Sequence, residues 1–128
     1  MKILIIDDDK DILEHLSYNF RKKDINVSTS SNVKEAWLKL EKDIPDLILT
    51  DIRLPHMSGI KFCRILKSNL LYKHIPIIFL SATNDDVLML AALEAGGVDF
   101  LTKPLHFNLI YQAILDHLEA LVPYKTSI

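Results

Sequence analysis

Cysteine is almost absent from this 128-residue chain, which holds a single one, Cys63. No intrachain disulfide can form, and no Cys/His pairs stand at zinc-ligand spacing. Glycine is scarce as well, at three residues. No Gly/Ser linker, internal repeat or low-complexity stretch divides the chain, so one domain is expected. Long apolar runs are missing: stretches such as Ile77 to Leu80 fall far short of the roughly 20 residues that span a bilayer. Only Lys2 and a short apolar run precede Asp7, which lacks the apolar length of a signal peptide. No membrane segment is expected, and a cytoplasmic location fits the cysteine usage. Strong charge of one sign is also lacking, since 15 Lys+Arg face 17 Asp+Glu for a formal net charge of -2. Without clustered positive charge, direct nucleic-acid binding loses its main electrostatic argument. What is present, 49% hydrophobic and 25% charged residues, suffices for a globular core.

Short β-branched runs alternate with stretches of helical period, the βαβα pattern of a parallel sheet. Ile3 to Ile6 is followed by a helix marked by Ile12, Leu16 and Phe20, and Asn26 to Thr29 by one carrying Val33, Ala36, Trp37 and Leu40, capped by Asn32. Pro45 stops that helix. Leu47 to Thr50 then leads through a loop, Arg53 to Ser58, into a third helix with Phe62, Ile65 and Leu66. Ile77 to Leu80 precedes a helix that Asn84 should cap and Gly96 and Gly97 should close. Val98 to Leu101 is the fifth strand, and Leu109, Ile110, Ala113, Ile114, Leu118 and Leu121 mark the last helix. Right-handed crossovers divide the helices between both faces of a five-stranded, doubly wound α/β sheet of order 2-1-3-4-5. Strands one and three then meet at the topological switch point, and the ligand crevice lies at their carboxyl ends.

Polar residues end those strands: Asp7 and Asp8 after the first, Asp51 after the third, Ser81 after the fourth and Lys103 after the fifth. Like charges oppose each other's ionisation, so a carboxylate cluster calls for a cation. Hard oxygen ligands favour Mg²⁺ or a similar divalent ion such as Mn²⁺. Lys103 and the Ser81 hydroxyl suit a phosphoryl group beside that ion. A carboxylate is a competent nucleophile toward phosphorus, and Asp51, after the central strand, is the best placed.

At Ile5-Ile6-Asp7-Asp8-Asp9, Thr50 to Gly59, Leu80-Ser81-Ala82 and Asp99 to Pro104, the chain resembles the receiver domain of two-component response regulators over essentially its whole length. The resemblance implies that Asp51 accepts a phosphoryl group from a sensor histidine kinase or histidine phosphotransferase. It implies Mg²⁺ held by Asp8, Asp51 and the Arg53 backbone carbonyl, with Asp7 acting through water. Lys103 would pair with phosphoryl oxygens, the Ser81 hydroxyl and Ala82 N–H would complete the cradle, and Phe100 would be the aromatic switch. The Lys103-Pro104 bond is expected to be cis. Arg53 and Thr83 occupy positions that tune phosphate lifetime in the family. Ile12, His15, Leu105 and His106 lie where receivers dock their kinase's helical hairpin.

The resemblance further implies a signalling switch rather than a turnover enzyme, with output through the fourth helix, fifth strand and fifth helix to a downstream effector protein or domain. Phosphorylation adds close to two charges and biases a pre-existing equilibrium. Between residues 84 and 119 the only Lys or Arg is Lys103. The salt-bridged dimer of the winged-helix class therefore lacks its basic partners. The receiver domain is assigned to residues 1–122 and a C-terminal tail to 123–128, too short for an output domain, so the chain also reads as a regulatory piece of a DNA-binding regulator or hybrid kinase. A haloacid-dehalogenase-type phosphatase is the enzyme alternative, because Asp7 and Asp9 mimic its Asp-x-Asp start. Asp11 stands where that family needs a hydrophobic residue or Thr, and no acidic pair follows the Lys.

Simpler roles compete for several residues. Asp9 and Asp11 read as a solvated helix start, where carboxylates favour the dipole. Cys63 reads as a small core or boundary residue, and Trp37 as helix-to-sheet packing. The five histidines show no metal-ligand spacing.

Overall fold

The computed structural model describes residues 1–104 and 106–120. Strands β1 (Lys2–Ile6), β2 (Asn26–Ser30), β3 (Leu47–Thr50), β4 (Ile77–Ser81) and β5 (Asp99–Thr102) alternate with helices α1 (Lys10–Arg21), α2 (Val33–Lys42), α3 (Gly59–Lys67), α4 (Asp86–Glu94) and α5 (Phe107–Ala120). All strand pairs are parallel, in the order β2-β1-β3-β4-β5. This is the doubly wound α/β sheet the alternating pattern predicts. The expected helix end at Leu121, the tail 123–128 and Leu105 lie outside the described residues.

The central strands β1, β3 and β4 are buried almost end to end, as parallel strands covered on both faces must be. Alternate residues feed two separate clusters. Leu4, Ile6, Ile48, Ile77 and Phe79 pack toward α2, α3 and α4, while Ile3, Ile5, Leu47, Leu49, Ile78 and Leu80 pack toward α1 and α5. Cys63 is fully buried in the first cluster. Trp37 packs edge-on against Phe62 and Tyr72, each at 5.6 Å between centroids. Among described residues, no helix is long and apolar enough to cross a membrane.

Several boundaries differ from the sequence reading. Asp85, not Asn84, caps α4: its Oδ1 accepts the N–H groups of Val87 and Leu88 at 2.8 and 3.4 Å. Both residue types cap well, so composition alone could not choose between them. The fifth strand begins at Asp99 rather than Val98 and runs through Thr102, and β2 extends to Ser30. Ile65 is only half-buried, and Cys63 takes the interior place beside Phe62 and Leu66.

The two edges of the sheet are treated differently. In β2, Asn26 donates to Met1 O and Ser30 O accepts from Asp7 N, so these residues face β1 and the carbonyls of Val27 and Thr29 point outward. Arg21 from α1 reaches Val27 O at 3.5 Å, and Lys39 from α2 reaches Thr29 O. Cationic side chains thus occupy the free acceptors of an edge that could otherwise template strand addition.

Candidate functional site

The strand order brings the ends of β1 and β3 side by side, with Ile6 paired to Thr50. Asp7 and Asp51 leave the sheet there, and Asp51 N donates to Ile6 O at 2.9 Å. One carboxylate oxygen each from Asp7, Asp8 and Asp51 lies within 4.8 Å of the others. Asp7 is buried, Asp51 half-buried and Asp8 exposed, so the cluster opens to solvent on one side.

Lys103 completes it from the end of β5. Its Nζ donates to Asp7 Oδ2 at 2.7 Å and to Asp51 Oδ2 at 3.2 Å. Burial disfavours the ammonium, but the hydrogen bond to Asp7 and the attraction of both carboxylates outweigh that and raise the Lys103 pKa. Burial likewise dominates at Asp7 and lifts its carboxyl above the ordinary value. The bonds from Lys103 and from Asp9 N–H oppose the lift without cancelling it, and the Asp51 charge adds to it. The pair is therefore asymmetric: the lysine gains from the contact while the buried carboxylate bears the desolvation. One ammonium among three carboxylates leaves net negative charge, and these hard oxygen donors at this spacing fit Mg²⁺ or Mn²⁺.

Backbone contacts fix the Asp51 carboxylate. Asp51 Oδ1 accepts Ile52 N–H at 2.7 Å and Arg53 N–H at 3.4 Å. The buried Thr50 hydroxyl donates to Asp51 O at 2.9 Å. Gly59 sits so close that a Cβ there would overlap the Asp51 carbonyl oxygen. In the sequence Gly59 stands only as the end of the Thr50 to Gly59 stretch, and nothing but that position points to this close approach. Asp9 turns out to cap α1 through Asp11 N and Ile12 N, and its own N–H donates to Asp7 Oδ1 at 2.9 Å. It thus positions the cluster without joining it.

Ser81 ends β4 and is 2% exposed, with Ala82 exposed and Thr83 half-buried beyond it. Lys103 N donates to Ser81 O at 2.7 Å, tying the ends of β4 and β5 together. Among the described residues, the Ser81 hydroxyl oxygen accepts a single 3.4 Å contact, from Thr83 N. Phe100 is half-buried against the α2/α3/α4 cluster. The Lys103-Pro104 peptide is cis. Beside it lies a largely apolar groove of about 280 Å³ lined by Ile12, His15, Leu80, Lys103 and Pro104. The exposed His106 is not among the residues lining that groove.

Comparison with known proteins identifies the family and the fold. Residues 3–115 match the family model "Response regulator receiver domain". The alkaline phosphatase synthesis transcriptional regulatory protein PhoP of Bacillus subtilis is 36% identical over 125 residues, which cover 95% of this chain and 51% of that protein. The chain thus spans about half the length of that relative. A two-component response regulator from Clostridium difficile superposes with a TM-score of 0.87 at 32% identity, covering 98% of this chain and 99% of the other. The BeF3-activated N-terminal receiver domain of Klebsiella pneumoniae RstA gives 0.85 at 26% identity, with 92% and 98% covered.

Proposed function

This chain belongs to the response regulator receiver family, and from that premise we propose that it is a phosphorylation-controlled switch whose acceptor is Asp51. The observation that carries the reading is the position of Lys103 Nζ, bonded to both Asp7 and Asp51. A cation held between the acceptor and its neighbour can turn its protons onto phosphoryl oxygens without a large movement. An Asp51 carboxylate oxygen forms the bond to phosphorus as the bond from phosphorus to the donor's histidine nitrogen breaks, and the imidazole leaves with the electron pair. Mg²⁺ or Mn²⁺, when bound, supplies charge neutralisation for the transferring group. Asp8, Asp51 and the Arg53 backbone carbonyl would hold the ion, with Asp7 acting through water.

The Ser81 hydroxyl and the Ala82 N–H are the remaining donors for the phosphoryl oxygens. Ser81 is held by one long contact to Thr83 N, so it is free to turn, and Phe100 is the switch residue that follows. Arg53 and Thr83 border the site and tune the lifetime of the adduct. Phosphoryl donors are a sensor histidine kinase or histidine phosphotransferase, docking over Ile12, His15, Leu105 and His106 beside the Pro104 groove. The controlled partner is an effector protein or domain, in a cytoplasmic setting. That the chain covers about half of a transcriptional regulator supports a second reading, in which residues 1–122 are the regulatory part of a longer DNA-binding protein. Family membership sets the phosphatase alternative aside.

The test is incubation with Mg²⁺ and acetyl phosphate, read by intact mass spectrometry. A single hydroxylamine-labile phosphate adduct that vanishes in Asp51→Asn is expected. An adduct that persists in that variant overturns the acceptor assignment.

A further inference from the structure

The formal net charge of -2 hides an uneven distribution. From Ile52 to Asn84 the sequence holds no Asp or Glu, while Arg53, Lys61, Arg64, Lys67 and Lys73 all carry positive charge. Helix α3 and its exit toward β4 form the middle of that stretch. Lys61 and Arg64 are exposed on α3, and Lys73 is exposed beyond it. Even with Glu41 of α2 and Glu94 of α4 set against it, the stretch keeps a cationic surplus. At its centre two adjacent leucines project into solvent, Leu70 at 82% exposed and Leu71 at 63%. A single exposed leucine needs no explanation, but this pair is held out by a built turn. Asn69 Oδ1 accepts Leu71 N–H at 2.8 Å, and Asn69 O accepts the N–H groups of Tyr72 and Lys73 at 3.1 and 2.8 Å. Tyr72 is buried against Trp37, and Lys67 Nζ donates to Lys73 O and Ile75 O at 3.1 and 2.6 Å. A tip fixed in this way loses little conformational freedom when it binds.

We infer that the tip between α3 and β4 binds the surface of a bilayer containing anionic lipid. Leu70 and Leu71 enter the boundary between headgroups and acyl chains, and Arg64 and Lys73 meet the anionic headgroups. Adjacent side chains on a turn diverge, so a folded partner would need a matching pocket for each, whereas a bilayer interface accepts apolar side chains in any arrangement. Charge of one sign around the leucines matches the negative field of an anionic leaflet, which attracts Lys and Arg within a Debye length of its surface. A second copy of this chain would bring the same cations and repel. Nucleic acid would engage the cations and leave the leucines in water. Two leucines and a few cations make a weak, reversible attachment. The tip precedes β4 and therefore lies at the amino-terminal edge of the sheet, opposite the carboxyl ends where Asp51 stands. Attachment leaves that site open and does not depend on phosphoryl transfer to it.

The test is flotation of the full chain with vesicles of phosphatidylcholine alone, or of phosphatidylcholine and phosphatidylserine in equal parts. Partitioning onto the anionic vesicles is expected to be at least about tenfold stronger and to weaken with salt. Leu70→Ser with Leu71→Ser, and separately Arg64→Gln with Lys73→Gln, should each lower it by about tenfold. All four positions are exposed, and circular dichroism checks that each variant stays folded. Equal partitioning onto both kinds of vesicle, or full binding by the leucine variant, overturns the inference. Tighter binding to a DNA duplex than to anionic vesicles at the same salt overturns it as well. So does self-association that the leucine variant abolishes, because the occupant would then be a second copy. Leucine-dependent binding of a glutamate-flanked leucine peptide, with no binding to vesicles, would assign the tip to a protein segment instead.

Discussion

Lys103 Nζ stands closer to Asp7, at 2.7 Å, than to Asp51, at 3.2 Å. The lysine is therefore held first by the buried Asp7 carboxylate and only secondarily by Asp51. That order keeps Asp51 available while the ammonium remains within reach of any group added to it. Burial is the largest influence on that Asp7 carboxyl and raises its pKa.

Asp7→Asn should stabilise the metal-free chain. A carboxyl whose folded pKa is raised by burial favours the unfolded state wherever it is ionised, that is, above its ordinary value of 3.8. A neutral amide removes that cost, and Asp51 still pairs with Lys103. Urea unfolding at neutral pH should show a higher midpoint than wild type. The extra stability conferred by Mg²⁺ should need at least about tenfold more metal, as for loss of an outer-shell partner.

Gly59→Ala should be severe for so small a change. The added methyl meets the Asp51 backbone oxygen, which cannot move without shifting Asp51 itself. A loss of roughly 2 kcal/mol or more in urea unfolding is expected. The yield of adduct from acetyl phosphate should drop with it, even in the folded fraction. Wild-type stability in this variant would show that α3 can slide away from the β3 loop.

Cys63 sets an alkaline limit. Burial pushes its thiol from 9.0 to about 11. Below pH 9 the thiol is protonated in both folded and unfolded chains, and stability is unaffected. Between pH 9 and 11 the unfolded thiol ionises first, so stability falls by about 3 kcal/mol across the window. Lys67, whose pKa burial lowers, works in the opposite sense over the upper part of that range. Comparing wild type with Cys63→Ala by urea unfolding at pH 8 and at pH 10.5 isolates the thiol. The variant should lack most of the decline, and the native thiol should resist thiol reagents until the chain is denatured.

Arg21→Ala combined with Lys39→Ala should expose the outward carbonyls of Val27 and Thr29. Stability should change by about 1 kcal/mol, since the Arg21 contact is exposed and the Lys39 contact part-buried. Self-association on concentration should rise, seen as a higher sedimentation coefficient, because an uncovered strand edge templates pairing. A monomer at every concentration would show that the two cations do not guard the edge.

Much of this arrangement was legible in the sequence because strand ends carry their own punctuation. Asp7, Asp8, Asp51, Ser81 and Lys103 each stand at or just past the end of a short strand-forming run, and a parallel sheet of this order can only gather them at one edge. The Asp85 cap was not legible, because Asn84 and Asp85 are equally good candidates and only backbone direction decides between them. Nor was the contact of Gly59 with Asp51, which depends on how closely a helix start approaches a loop. The capping of β2 was hidden for another reason: Arg21 and Lys39 belong to helices on opposite sides of the sheet, and no spacing in the chain announces that they meet one strand.

The sheet also acts as a shared wall between two half-cores, one facing α1 and α5 and the other facing α2, α3 and α4. Substitutions in distant, non-touching clusters combine almost additively. The half-core under α4 can therefore change while the half-core beneath α1 and α5 keeps its volume and its groove. In lineages descended from this chain, the two faces can accumulate change at separate rates, so inheritance of one set of contacts does not constrain invention in the other.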